Sequence, residues 1–144
     1  MIPRYGETPR PDIRYRLRPG AYAVILQGDS ILTTFQADPE PEFQLPGGGI
    51  EAGESPTQGL LREVREETGW LVTGARRLGA YRRFCYMPEY DLWAEKLCTL
   101  YLARPVRQVA PPSEPGHSAV WMHLSNAVEM LDNSGERALL RRLL

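Results

Sequence analysis

The residues with most chemistry in them are Arg62-Glu63-Val64-Arg65-Glu66-Glu67. On a helix, Glu63 lies i,i+3 from Glu66 and i,i+4 from Glu67, so three carboxylates converge on one face. Like charges at that spacing destabilise an isolated helix. A divalent cation removes the conflict, and an all-carboxylate oxygen set suits Mg²⁺ or Mn²⁺ rather than zinc. The competing reading is a solvated acidic face, partly neutralised by Arg62 and Arg65. Just ahead of it stands Leu45-Pro46-Gly47-Gly48-Gly49. Glycines let a backbone approach a ligand closely, and a carbonyl freed there adds another oxygen donor. No Gly-Lys-Ser/Thr follows, so this is not a phosphate loop of the nucleotide-triphosphatase type. It does not fit the dinucleotide-binding fingerprint either.

These residues need a helix and a loop to hold them. Ser55–Thr68 is the clearest helix: Ser55 caps it, Pro56 suits the first helical position, and Gln58 completes a capping box. Gly69 ends it as a left-handed C′ residue. Leu60, Leu61, Val64 and Thr68 form the expected inward stripe. Gly59 costs about 1 kcal/mol against alanine inside a helix, which points to close packing against a neighbouring backbone. Strands are expected at Ala21–Leu26 and Ile31–Phe35, joined by the Gly28-Asp29 turn, then at Leu71–Phe84, Leu97–Leu102 and Ala119–Leu124. Cys85–Lys96 reads as a polar aromatic segment between strands, and Pro105–Gly116 as a long loop with four prolines. A short helix at Asn126–Leu131 and an amphipathic one at Glu136–Leu144 close the chain. Residues 1–20 read as an N-terminal arm or edge strand. Strands around one central helix, without βαβ alternation, favour an α/β sandwich of mixed sheets.

The spacing as a whole is specific. Gly48, five residues, Glu54, seven residues, Arg62-Glu63-Val64-Arg65-Glu66-Glu67-Thr68-Gly69-Trp70 resembles the box of the Nudix hydrolase family, MutT-like. The one departure is Trp70, where the family usually has a bulky aliphatic residue. The resemblance implies a Nudix-type α/β/α sandwich with mixed β-sheets around a central catalytic helix. It implies a Mg²⁺-dependent pyrophosphohydrolase (Mn²⁺ being an alternative ion) acting on a nucleoside diphosphate linked to another moiety. By that likeness Glu63, Glu66 and Glu67 hold the metal, with the carbonyl of Gly47 assisting, and Glu54 lies beside them. Gly48, Arg62 and Gly69 take structural roles in the box, Arg62 by pairing with a box carboxylate. Glu114, the only acid in the loop before the late Trp-bearing strand, reaches back as a general base or outer ligand. Glu95 is the rival acid. The alternative function is a nucleotide-binding or regulatory module of the same fold without catalysis.

Outside the box, Tyr86 is a candidate for stacking on a nucleobase, Arg82 and Arg83 for contacting a phosphate, and Trp121 for one side of the site. Tyr86 and Tyr90 straddle the place of a tyrosine that marks dinucleoside polyphosphate hydrolases. His117 precedes the last strand and is considered for the site; His123 reads as structural.

The 144 residues suit a single domain, 1–144. Seventeen Lys+Arg balance eighteen Asp+Glu, which gives no support to a nucleic-acid partner or an RNA-end enzyme. No apolar run approaches the length of a membrane helix, and no secretory signal is visible. Cys85 and Cys98 make no disulfide framework and lack zinc-pair spacing. The expected setting is therefore cytoplasmic, the partner a small nucleotide derivative, and a homodimer is compatible with the chain.

Overall fold

The computed structural model describes residues 1–143. Its strands are β1 (Arg16–Gln27), β2 (Ser30–Gln36), β3 (Glu42–Gln44), β4 (Gly47–Gly49), β5 (Trp70–Met87), β6 (Leu92–Gln108) and β7 (His117–His123). The helices are α1 (Pro56–Thr68), α2 (Leu124–Met130) and α3 (Ser134–Arg141). The strands form a mixed sheet in the order β3-β2-β1-β6-β5, with β4 also pairing β1 and β7 also pairing β2. Among the paired strands just named, β1 and β6 alone run parallel, from Arg16 opposite Ala94 to Ile25 opposite Ala103.

Period-two alternation along β1 decides which side each residue feeds. Ala21, Ala23 and Ile25 join Leu32, Leu60, Val64, Val72 and Ala103 beneath α1. Val24 faces the other way, into a cluster with Tyr81, Leu100, Val128, Leu131 and Leu140 under α2 and α3. The layers are thus helix, sheet, helices, as the α/β/α expectation had it.

The opening between β1 and β2 makes room for the site. The two strands pair only at Leu26–Ile31 and Gln27–Ser30, then diverge. The glycines, expected as loop, fill that gap as β4: Gly47, Gly48 and Gly49 lie opposite Tyr22, Ala21 and Gly20. The other departures have similar causes. Cys85–Lys96 is not a separate segment, because β5 and β6 pair without a break from Tyr81–Cys98 to Met87–Leu92. Leu61 leaves the inward stripe and is exposed. Residues 16–20 open β1, an interior strand. The arm before them lies along the outer edge of β5, where Tyr5 N–H donates to Arg82 O at 2.9 Å and Arg82 N–H to Pro3 O at 2.8 Å. Of the closing helix expected over 136–144, residue 144 lies outside the described residues.

A buried carboxyl ties α3 to the strand that enters the box. Glu136 is 2% exposed, and its two oxygens accept from Leu45 N–H at 3.2 and 3.1 Å. Next to it, Asp132 Oδ2 accepts from Phe43 N–H at 2.6 Å. Burial pushes the Glu136 carboxyl from 4.5 up to about 8, against the opposing pull of the Leu45 amide. Between those values the folded chain keeps a proton that the unfolded chain has released. The stability contributed by this group therefore falls as pH rises through that window and is level above it. Glu136→Gln retains an acceptor for Leu45 and should flatten the slope. Urea denaturation at about pH 5 and about pH 8 checks this; a variant as pH-sensitive as the parent contradicts it.

Candidate active site

The site is organised around the start of α1. Ser55 accepts from Gln58 N–H at 3.2 Å and gives its own N–H to Gln58 Oε1 at 2.8 Å, the reciprocal cap the sequence signals. One turn on, Arg62 reaches back over the loop. Its Nε and Nη2 donate to the two oxygens of Glu54 at 2.7 and 3.0 Å, a two-pronged pair. Nη2 also donates to Gly49 O at 3.2 Å. Nη1 donates to Glu63 at 3.0 Å and to Glu66 at 3.4 Å. Arg62 holds the Glu54 carboxyl down at about 2, helped by the Glu51 N–H. Glu54 also explains the glycine in the helix: a Cβ at Gly59 would meet Glu54 Oε1 at 3.1 Å. The neighbour is this side chain and not a backbone.

The three box carboxylates occupy different surroundings. Glu63 lies against Gly48 so closely that a Cβ there would sit 2.8 Å from its carboxyl carbon, and a side chain at 48 would push that carboxyl aside. Burial raises the Glu63 carboxyl, Arg62 opposes that, and the charges of Glu66 and Glu114 add to it. Glu66 is the most open of the three. Glu67 is buried, with Oε1 accepting from Gly47 N–H at 2.8 Å. Burial, with smaller contributions from Glu63 and Glu114, pushes it up to about 8.

The loop after β6 closes on the far end of α1. Gly69 caps the helix at φ 75° and donates to Arg65 O. A Cβ on it would lie 1.7 Å from Ala110 O, so the loop packs where a side chain would stand. Ser113 and Glu114 N–H groups both donate to Glu66 O, at 2.8 and 2.9 Å. Glu114 is thereby hung beside the carboxylates, close enough for its charge to raise both Glu63 and Glu67. His117 follows, its Nδ1 buried without a hydrogen-bond partner and 3.7 Å from Glu67 Oε2. The sequence signal for His117 was only its position before β7.

A cleft of about 660 Å³ opens beside the helix, lined by Glu63, Gly49 and Glu51 together with Arg16, Arg18 and Lys96. A smaller recess of about 120 Å³ continues past Tyr22 and Lys96 to Arg83, Asn133 and Glu136. The structure does not bring Arg82, Tyr86 or Trp121 to these walls. Arg82 is taken by Glu95, which also removes Glu95 as a free acid. Tyr86 donates to Asp91 and packs on Trp93. Trp121 stands edge-on to Trp70, ring centres 5.4 Å apart, beneath α1. Sequence reasoning missed Arg16, Arg18 and Lys96, because nothing in their local pattern separates them from ordinary surface cations.

With this geometry, the NUDIX domain model matches residues 16–143. The chain belongs to the NUDIX family. Its fold is similar to that of a NUDIX hydrolase from Nitrosomonas europaea, with a TM-score of 0.73 over 88% of this chain and 87% of that one, at 21% identity. In sequence it is 30% identical over 74 residues to a Bacillus subtilis protein named provisionally as an 8-oxo-dGTP diphosphatase, covering 51% of this chain and 50% of that protein. It is 36% identical over 67 residues to an RNA pyrophosphohydrolase of Halorhodospira halophila, covering 46% and 37%. The chain thus spans half or less of the length of these curated relatives.

The donor set of this NUDIX domain fits a hard divalent cation. It is all oxygen, and it includes a buried carboxylate, Glu67, with no cationic partner other than a histidine at 3.7 Å. Among the described residues no three His, Cys, Asp or Glu side chains converge on a single metal-sized point as they stand. Arg62 turns Glu63 and Glu66 towards itself, while Glu67 points at Gly47.

Arg62 touches the loop at both Glu54 and Gly49, so Arg62→Ala should lower the melting temperature by roughly 5–10 °C. Removing it also lets the Glu54 carboxyl titrate higher than about 2, with the Glu51 N–H still holding it. The stability that pairing provides is present above 4.5 and is lost as pH falls towards 2, so the variant's deficit should shrink in acid. Thermal melts at neutral and acidic pH check both points; an unchanged melting temperature would remove the bracing role.

Proposed function

We propose that this chain is a Mg²⁺-dependent pyrophosphohydrolase that cleaves the diphosphate bond of a nucleoside diphosphate linked to another moiety. The observation that carries the reading is one gathering of groups. Glu63 lines the cleft, Glu67 is buried behind it, and Glu114 hangs from the carbonyl of Glu66 at the same end of α1. The names of the relatives, a diphosphatase and a pyrophosphohydrolase, support the reaction class. Nucleoside triphosphates, nucleotide sugars, ADP-ribose and dinucleoside polyphosphates all contain the bond in question.

Glu63, Glu66, Glu67 and the carbonyl of Gly47 would hold the metal. When bound, Mg²⁺ supplies charge neutralisation for the phosphates, polarises phosphorus and lowers the pKa of a water. The chain's own groups do the rest. Water oxygen bonds to phosphorus as the bridging P–O bond breaks, the bond pair leaves with the departing phosphate oxygen, and a proton must go to a base. Glu54 is a poor acceptor, being held at about 2 by Arg62. Glu114 remains, on a loop stiffened by Pro111, Pro112 and Pro115 and tied to the helix end. Gly48, Arg62 and Gly69 position these acids without touching substrate. The free thiols of Cys85 and Cys98 suit a reducing cytoplasm.

Glu67→Gln deletes a charge and no core volume, so it should keep the fold and lower kcat by about 100-fold or more. Glu114→Gln should lower kcat by roughly 100-fold with little change in KM and alter the pH–rate profile. The measurement is a screen of nucleotide substrates with products identified, run on the parent and both variants. Hydrolysis of no diphosphate bond, with nucleotide binding retained, would support the non-catalytic module instead. Phosphate release from simple monophosphates alone would contradict the reading outright.

A further inference from the structure

The sheet beneath the cleft carries a row of cations that the reading above does not use. Arg18 of β1 lies directly opposite Lys96 of β6, and Lys96 lies directly opposite Arg83 of β5. Residues opposite one another on neighbouring strands project from the same face. Three positive side chains therefore stand abreast, across a span of about 10 Å between the outer strands. All three are half-buried. Lys96 lines both the cleft and its recess, Arg18 the cleft and Arg83 the recess.

Among the described residues, no carboxylate lies within ion-pair distance of any of the three. Glu42, Asp132 and Glu136 share the recess and the Arg83 charge acts on Glu136, but none of them contacts the row. Asp132 and Glu136 accept from the Phe43 and Leu45 amides, and Glu42 accepts from Gln44. Like charges set side by side repel across strands, and a concave, partly desolvated wall makes that repulsion stronger than on open surface. The row is also held in place. The Tyr90 ring covers the Arg18 guanidinium, with Cζ 4.8 Å from the ring centre. Gly6 of the arm lies over the Arg83 stem, where a Cβ would be 3.5 Å from Cγ. A row of this kind, with no carboxylate in direct contact, is completed by an extended polyanion. A neutral sugar leaves it unpaired.

We propose that Arg18, Lys96 and Arg83 seat a chain of at least three phosphates, so that the substrate is a polyphosphate and not a nucleoside diphosphate with a neutral substituent. This rests on the pyrophosphohydrolase reading for the bond cleaved. The row takes the phosphates that lie away from the box carboxylates and sets which substrates reach them. A nucleoside triphosphate and the 5′-triphosphate end of an RNA share that chemistry.

The binding test needs no turnover. Calorimetric titration of the protein in EDTA with inorganic tripolyphosphate and with pyrophosphate should show tripolyphosphate the tighter by roughly 10-fold. Lys96→Gln and Arg18→Gln should each weaken tripolyphosphate by about 10-fold or more and remove most of that preference. Arg76→Gln, on the exposed outer part of β5, should change nothing, and thermal melts confirm that all variants fold. The kinetic test, with Mg²⁺, compares kcat/KM for a nucleoside triphosphate, a short 5′-triphosphorylated RNA and ADP-ribose. The triphosphate-bearing substrates should lead, and Lys96→Gln should lower them by a larger factor than it lowers ADP-ribose. The faster of the two triphosphates identifies the source. Equal affinity for pyrophosphate and tripolyphosphate, or ADP-ribose as the preferred substrate with the variants unaffected, overturns the assignment while leaving the reaction class intact. Selective tripolyphosphate binding lost in the variants, without cleavage of any anhydride, upholds the row and overturns the hydrolase reading.

Discussion

A single guanidinium sets the terms for everything around α1. Arg62 commits two of its donors to Glu54 and spends the rest on Gly49, Glu63 and Glu66. The fork to Glu54 is short and paired, whereas the contacts to Glu63 and Glu66 come from one nitrogen at 3.0 and 3.4 Å. That inequality divides its work. The strong pair fixes the loop to the helix. The weaker contacts keep two carboxylates from repelling each other yet can be given up to a cation of higher charge density. A lysine could not do both, since it offers no rigid fork.

The acids and the cation row are brought to one cleft and its recess by one irregularity of the sheet. Because β1 and β2 separate after two residue pairs, the glycine strand can enter beside β1 and place its backbone under α1. The same strand β1 then carries Arg18 at its open end and Ala21, Ala23 and Ile25 under the helix. Acids and cations reach the same cavity as consequences of one strand's position, and Tyr22 lines both the cleft and the recess.

What could be read from residue order was whatever depends on local geometry. The Ser55–Gln58 cap, the left-handed Gly69, and the grouping of Glu63, Glu66 and Glu67 on one helix follow from spacing along a few turns. Glu114 entered through the family resemblance, as the only acid of its proline-rich loop, and the structure hangs its N–H on Glu66 O. The rest depends on register between distant strands. Nothing near Arg18, Lys96 or Arg83 in the chain announces that they align, since the pairings join residues far apart in sequence. Arg82 looked as suitable as Arg83, and the alternation of the pleat decided otherwise: one faces Glu95, the other the recess. Leu61 was misplaced for the helical version of the same reason, lying one position off the buried stripe.

The arm along β5 bears on how the molecule meets its neighbours. An outer strand presents a line of amides and carbonyls that any extended segment can pair with. Here Pro3 and Tyr5 occupy that line at Arg82, with a further bridge between Glu7 and Phe84, and Tyr5 anchors the arm edge-on to Tyr81. The covering segment is held by a handful of contacts and carries Pro3 and Pro9, which cannot extend a ladder outward. It works as a selvedge over the Arg82–Phe84 stretch of the border, where a strand of another chain finds no thread to continue.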